Sequence, residues 1–441
     1  MSKSQFTDGL PETNSEAEAA VAPVLGVLTP YGRTFESLQY SDFRYFLSGA
    51  CLSNVGTWMQ NVAQGWLVTQ LTGSSFWVGM VGFAGGLPVL FLALPAGLLA
   101  DRVDRRRLLI VGQTLVMLLA FLLAYRIQVG PLDRGNRDVM VWILWVAFLT
   151  GAVMALTFPA WQAMIPDLVP RSALLNAVSL NSAQFHAARL VGPAIAGVLM
   201  AWWGIPSAFW ANAASFLAVL WALFVIRPRR DMAPSPAGPG IETTWQRLTG
   251  GLTYARENLT VGVLLVSVCI TTFFGMSYVV LLPLLVAGPL HGGSATFAYL
   301  MAANGFGALA GALGVAYLSK TAHRPTLIRM GMLVFSATTI AIALSRSLLL
   351  TGCLMPVAGA AFLTMQSAVN TGLQITTPPD IRGRVMALLV LSFLGVMPLG
   401  SLAFGTLGHV IGVPRAIAAG GAVCLAWGVV LWVRPGLLAA A

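Results

Sequence analysis

One strong charge lies deep inside an apolar segment of this 441-residue chain: Arg189, with His186 one helical turn before it. A buried guanidinium is costly unless something compensates its charge. We therefore expect Arg189 to attract an anionic or oxygen-rich ligand, or to stabilise an empty site. The alternative is a structural role as a donor to backbone carbonyls.

Uncharged polar residues form stripes on several apolar segments. At about 100° per residue, each stripe occupies a single face of a helix. The stripes consist of Asn54, Thr57, Trp58, Asn61 and Gln64; of Ser179, Ser182, His186 and Arg189; and of Gln366, Asn370 and Gln374, with Trp161 and Gln162 on a fourth segment. Stripes in both halves of the chain favour a water-filled path between helices, although helix-to-helix hydrogen bonding is the alternative.

Carboxylates are absent from these faces. All 15 Asp and Glu residues fall in tails, loops or segment ends. A proton-carrying role would therefore belong to His186, His409, or an end-positioned acid such as Asp42 or Asp167.

The elements that position these residues are membrane helices. The chain is 57% hydrophobic and 9% charged, its mean hydropathy is +0.80, and a soluble protein carries about 25% charged residues. Runs such as 108 to 124 are apolar on every side, whereas a membrane β-barrel alternates in polarity over about ten residues. The fold class is therefore an all-α integral membrane protein.

The apolar segments number six plus six, each long enough for a span of about 20 residues. We expect a disordered cytoplasmic tail over 1–41, a six-helix bundle over 42–227, a cytoplasmic central loop over 228–258 and a second six-helix bundle over 259–436. Trp245 to Asn258 could form an amphipathic helix on the membrane surface.

Basic residues predict the orientation. Of 25 Lys and Arg residues, 19 lie on the side shared by both termini and the central loop, so the positive-inside rule places both termini in the cytoplasm. Since the arginines cluster at helix ends, the net charge of +10 reflects contact with the lipid bilayer and not nucleic-acid binding.

The two halves resemble each other. At an offset of 208 residues, five Gly and Pro positions coincide: Pro170, Gly192, Gly197, Gly204 and Pro206 fall on Pro378, Gly400, Gly405, Gly412 and Pro414. A duplicated six-helix unit is the architecture in which transporters place a substrate site near the bilayer midplane.

The loop after the second span reads GLLADRVDRRRLL, from Gly97 to Leu109. Asp101 precedes Arg105 by four residues, the spacing for an ion pair across one helical turn. A loop that merely anchors helices would need the arginines alone, without the glycine and the aspartate.

This loop resembles the major facilitator superfamily pattern G-x-x-x-D-R-x-G-R-[RK]. Gly97, Asp101, Arg102, Arg105 and Arg106 match it, while Asp104 replaces the second glycine; IRGRVM at 381–386 adds to the likeness. The form is similar to the branch containing the enterobactin exporter and drug:proton antiporters. The resemblance covers roughly 40 to 435 and implies twelve helices in two pseudo-symmetric bundles, with the loop latching them in one state.

The fifth span contains RLVGPAIAG, in which Gly192 and Gly197 allow close helix approach and Pro193 removes a backbone donor. Exporter branches of the superfamily have a similar Gly-Pro signature, so the resemblance implies efflux. Close packing alone is the alternative.

No enzyme or cofactor motif is apparent: the chain has no Walker loop and no HExxH, and its four cysteines are scattered singly. We expect neither cofactor nor metal. The sequence is interpreted as a monomeric bacterial inner-membrane exporter of a small molecule, a siderophore or hydrophobic drug, working by alternating access and coupled to protons. An importer of small metabolites and a non-transporting scaffold or sensor are the alternatives.

Overall fold

A computed structural model describes residues 35–130, 137–227, 244–318 and 323–438, and in these ranges the chain is helical without a strand. Most of the expected tail over 1–41 lies outside the described residues, as does the first part of the central loop. The first half of the chain contributes α1 (Ser41–Thr72), α2 (Ser75–Arg102), α3 (Arg105–Val129), α4 (Arg137–Leu168), α5 (Leu174–Trp203) and α6 (Pro206–Val225).

A short helix joins the halves, and six further spans follow. The joining helix is α7 (Thr244–Glu257), which occupies nearly the range over which the sequence predicts an amphipathic helix. The second half consists of α8 (Leu259–Ala287), α9 (Ser294–Leu318), α10 (Arg324–Leu344), α11 (Leu348–Thr376), α12 (Pro379–Ile411) and α13 (Val413–Val433). One π-helical stretch interrupts α8 at Thr271–Gly275 and another interrupts α12 at Leu391–Gly395.

Among the described residues, eleven helices are long and apolar enough to cross a membrane. The twelfth span is α1, which is 32 residues long but contains several amide and hydroxyl side chains that lower its hydropathy. Large apolar side chains such as Phe91 and Trp145 are exposed on the outside of the bundle, at 71% and 60%. Such a surface suits lipid and not water, and the twelve-helix membrane fold predicted from sequence is confirmed.

The internal repeat has a structural counterpart. Gly204 and Gly412 end α5 and α12 with positive φ angles of 77° and 91°, a conformation that glycine adopts without a side-chain clash. The glycines two turns earlier also correspond: Gly197 of α5 faces Ala298 of α9, and Gly405 of α12 faces Gly79 of α2. Each of these contacts joins one six-helix half to the other.

The contacts between halves lie toward one end of the bundle. They run along 75–90 of α2 with 395–408 of α12, and along 189–197 of α5 with 295–305 of α9. We call this end, where α1 leads into α2 and α12 into α13, the closed end. The opposite end, where α4 leads into α5 and α11 into α12, is called the open end.

Candidate functional site

A cavity of about 480 Å³ lies between the two halves, on the open-end side of their contacts. This volume falls in the range of small-molecule sites, about 300 to 1,000 Å³. Most of the lining comes from α1, α4 and α5 of the first half, and the second half adds Gln366 of α11 and part of α12. The polar lining residues are Ser53, Asn54, Thr57, Gln113, Thr157, Gln162, Asn181, Ser182, Gln184, His186 and Gln366.

Hydrogen bonds fix part of this lining and leave other groups unpaired. Asn54 donates through Nδ2 to Oε1 of Gln184 at 3.1 Å, which joins α1 to α5 at the cavity wall. Two buried atoms, Nδ1 of His186 and Oε1 of Gln366, have no hydrogen-bond partner among the described residues. A polar group on a bound molecule could therefore pair with one atom from each half.

Aromatic rings form much of the rest of the wall. Trp161, Phe158, Phe185 and Phe393 line the cavity, and Trp161 packs against Phe46 with ring centroids 4.6 Å apart. Among the described lining residues there is no Asp, Glu, Lys or Arg. The cavity thus offers flat apolar faces and neutral hydrogen-bonding groups.

The structure brings together some of the predicted residues and places others at different depths. Asn54, Trp161, Gln162, His186 and Gln366 line the cavity. Asn370 lies one turn along α11 from Gln366 toward the open end and accepts from Gln374 at 3.1 Å. Three predicted residues do not line the cavity. They share a face of α1 with Asn54 but lie closer to the closed end: Trp58, Asn61 and Gln64.

Arg189 lies beyond the cavity, toward the closed end. Its side chain is 9% exposed, and its guanidinium carbon is 5.5 Å from the ring centroid of Trp58. Nη2 of Arg189 donates to Oδ1 of Asn304 on α9, at 2.9 Å. The acceptor is therefore a side-chain amide from the other half of the molecule, whereas the structural alternative considered from sequence was a backbone carbonyl.

Sequence reasoning missed several lining residues. Gln113 is a lone amide in the apolar run of α3, a pattern that could have identified it. Asn181 and Gln184 lie between the residues of α5 that the polar stripe identified, and they widen the polar face of this helix. Asn304 was also missed; it is a single amide in the glycine-rich run 304–314 of α9, outside the polar stripes described above.

The loop motif holds the first half together at the open end. Arg105 pairs with Asp167 of α4 at 2.9 Å. Arg106 donates to the carbonyl oxygens of Leu223 and Phe224, at 2.6 and 2.7 Å, at the end of α6. All these contacts are made within one six-helix half.

The sequence predicts an ion pair between Asp101 and Arg105 across one turn of a single helix. This prediction is wrong, because no single helix contains both residues. α2 ends at Arg102, and Val103 is extended with φ −109° and ψ 147°. Asp104 then starts α3 by accepting from the backbone N–H of Arg107 at 2.8 Å. Asp101 and Arg105 thus belong to different helices; the side chain of Asp101 lies outside the described part of the chain.

The other proton-carrier candidates lie at the ends of helices. His409 is exposed near the closed end of α12, Asp42 is in the first turn of α1, and Asp167 is engaged by Arg105. Of the candidates raised from sequence, His186 is the one in the cavity wall.

Comparison with known proteins places the chain in a family. A sequence-family profile described as a transmembrane secretion effector matches residues 33–437, nearly the whole chain. This profile belongs to the major facilitator superfamily. The chain is a member of the major facilitator superfamily. It is a multi-pass membrane transporter of small molecules, and its family and relatives are transporters and not enzymes.

Relatives of this facilitator include transporters of two kinds. The staphyloferrin A transporter of Staphylococcus aureus is 24% identical over 85% of this chain and 91% of its own length. The multidrug efflux pump Tap of Mycolicibacterium fortuitum is 28% identical over 85% of this chain and 89% of its own. The likeness therefore extends over both six-helix halves.

Solved structures support the same fold. A bacterial homologue of the lysosomal transporter Spinster, in an inward-facing unoccupied conformation, superposes with a TM-score of 0.67 at 15% identity, covering 90% of this chain and 96% of that one. A D-xylose–proton symporter gives a TM-score of 0.68 at 14% identity, covering 88% and 97%. At these identities the likeness concerns the fold alone.

Proposed function

We propose that this facilitator exports a small organic molecule across the bacterial inner membrane by alternating access. The observation on which this rests is the cavity between the halves, walled by neutral polar and aromatic residues of both, with cross-half contacts on one side of it. Rocking of one half against the other would close the open end, part the contacts at the closed end and expose the cavity to the opposite side.

The proposed direction rests on charge and on relatives. The open end is the end at which most basic residues lie, so the positive-inside rule assigns it to the cytoplasm, together with both termini. A cytoplasm-facing cavity is where an exporter takes up its cargo. The family description and the efflux pump among the relatives favour the same direction, as does the Gly-Pro signature of Gly192, Pro193 and Gly197.

The proposed cargo is a siderophore or a hydrophobic drug; a staphyloferrin A transporter and a multidrug efflux pump among the relatives support these two classes. Aromatic faces suit apolar rings, and amides suit the oxygen atoms of a chelator. Because the described lining has no carboxylate, a cation would find no counter-charge there, whereas a neutral or anionic molecule would meet no repulsion from it. Neutral and oxygen-rich molecules are therefore preferred over cationic drugs.

Proton-driven antiport is proposed as the energy source, with His186 as the carrier. Its Nδ1 is buried and unpaired at the cavity wall, so cargo and proton would compete for the same space. Gly97, Asp101, Arg102, Arg105 and Arg106 are proposed to latch the open end when it closes. We propose that the protein works as a monomer in the bilayer, since one bundle encloses the whole path.

The experiment is transport in inside-out membrane vesicles with an acidified interior. A neutral hydrophobic fluorescent dye should accumulate inside vesicles containing the protein and should leak out when a protonophore collapses the gradient. Vesicles containing His186→Ala at equal protein level should lose gradient-driven accumulation and retain exchange of dye across the membrane. Deletion strains should in parallel be assayed for siderophore secretion.

Two outcomes would overturn the proposal. Accumulation only in right-side-out vesicles would indicate import, and accumulation in neither orientation, for dyes and for siderophores alike, would favour a non-transporting role. Accumulation that survives the protonophore would refute proton coupling while leaving export intact.

A further inference from the structure

Within the part of the chain that the structure describes, the Arg189 side chain makes one hydrogen bond, and this bond joins the two halves of the molecule. Arg189 is on α5, and its acceptor Asn304 is on α9. Asn304 is itself fixed inside the second half, because Nδ2 donates to the hydroxyl of Tyr278 at 2.7 Å and to the carbonyl of Met355 at 3.3 Å. Both protons of the amide are thus used within that half, and its oxygen faces the guanidinium.

This network is fully enclosed. Asn304 is 0% exposed, Tyr278 1% and Arg189 9%. The helices around it are in backbone contact: a Cβ on Gly305 would come within 2.6 Å of the carbonyl oxygen of Arg189. The hydrogen bond therefore forms only when α5 and α9 are pressed together at the closed end.

The charge of Arg189 is balanced by neutral groups. Its described hydrogen bond is to the amide oxygen of Asn304 and its described cation–π contact is with the ring of Trp58, while Nε has no hydrogen-bond partner in the described ranges. A buried cation that loses its acceptor is strongly destabilised. If the halves part as proposed above, water would replace the amide oxygen, so the contact would be reversible.

We propose that Asn304, held by Tyr278, is a positioning residue for transport. It accepts a hydrogen bond from Arg189 and so stabilises the closed conformation of the closed end. The proposal rests on the alternating access argued above. It assigns control of the closed end, which is opposite the arginine-rich loop at 97–109, to a buried hydrogen bond near the middle of α5 and α9.

Removing Asn304 alone and removing both partners should have opposite effects on the closed end. Asn304→Leu leaves the guanidinium buried without its acceptor, so the closed end should open to let water reach Arg189. Adding Arg189→Met to this variant removes the charge that needs water, so the double variant should close again. A merely structural role for Asn304 would predict additive losses and no recovery.

The test measures the distance across the closed end by double electron–electron resonance. Spin labels are attached to cysteines at Val129 and Leu349, which are 66% and 79% exposed near the closed ends of α3 and α11, after replacement of the four native cysteines. We expect Asn304→Leu to raise the ratio of long to short distances about tenfold or more, and the double variant to return it to the wild-type ratio.

The matched control is Asn212→Leu. Asn212 is 2% exposed and donates to Gln60 at 2.6 Å, which is a buried hydrogen bond between two side-chain amides of the first half. This variant should lower thermal stability without lengthening the label distance. If Asn304→Leu fails to fold, Tyr278→Phe gives the milder test, with a smaller shift in the same direction.

An unchanged distance in Asn304→Leu or in Tyr278→Phe overturns the proposal, as does an equal shift in Asn212→Leu or a double variant that stays open. Transport is assayed separately in the same variants. If the distances shift as expected but the protein moves no cargo, the proposed function is refuted and the role of the Arg189–Asn304 hydrogen bond is retained. If the variants export like wild type and their distances do not change, only the role of this hydrogen bond is refuted.

Discussion

The proposed alternating access predicts that a single methyl group at the crossing of α2 and α12 will shift the equilibrium between closed and open forms. In Gly405→Ala the new Cβ would lie 2.7 Å from the Cα of Gly79 and 2.8 Å from the carbonyl oxygen of Ser75. Both atoms are backbone, so no side chain can rotate away. Because carbon atoms in contact prefer about 3.5 to 4.0 Å, the two helices must separate by about 1 Å.

The cost of this collision falls on one conformation. Overpacking of this kind costs about 1 to 3 kcal/mol, and the contact exists only while the closed end is closed. The ratio of open to closed molecules should therefore rise about 5- to 150-fold, as measured by the same Val129 and Leu349 spin labels.

The control places a similar collision inside one half. Gly420→Ala would direct its Cβ at the carbonyl oxygen of Phe274, in a contact between α13 and α8 of the second half. It should lower the thermal unfolding temperature without changing the label distance. A Gly405→Ala protein as closed as wild type, or a Gly420→Ala protein equally opened, would refute the reasoning.

Three further predictions concern the cavity and the open end. Gln366→Glu introduces a carboxylate into a lining that has none among its described residues, so efflux of a cationic dye should rise several-fold relative to a neutral one; an unchanged ratio would contradict the charge argument. Asn54→Leu removes the bond to Gln184 and a polar wall group, and a net loss of about 1 kcal/mol should raise KM for an oxygen-rich cargo about fivefold; a normal KM would exclude Asn54 from the binding surface. Asp167→Asn breaks the pair with Arg105, which is partly exposed, so the free energy of unfolding should fall by about 1 kcal/mol or less; a larger loss would mean that this pair holds more of the fold than its exposure indicates.

Helical periodicity identified some residues of the cavity wall, because the position of a residue around a helix depends on local geometry alone. Polar residues three and four positions apart share a face, and Asn54, His186 and Gln366 indeed line the cavity. Periodicity gives the face of a helix and not the depth along it. Trp58 and Arg189 share faces with lining residues and yet lie beyond the cavity, where the halves touch.

The partner of Arg189 could not be predicted from the sequence, because it depends on how the two halves meet. Asn304 is 115 residues away and lies among glycines that pack α9 against α5 and α11. The same limit applies to Arg105: its ion pair with Asp167 joins two helices far apart in sequence, and the four-residue spacing to Asp101 gave no indication of it. Local spacing identifies which charges need partners, and tertiary packing decides which partners they obtain.

The claim of alternating access is tested most directly by measuring both ends of the bundle in one preparation. Labels at Leu175 and Ile375, which are 80% and 57% exposed near the open ends of α5 and α11, report on the open end, and the Val129 and Leu349 pair reports on the closed end. In liposomes with a pH gradient and a transported dye, the distance between the first pair should shorten as the distance between the second lengthens. Two fixed distances, or two that lengthen together, would contradict the account.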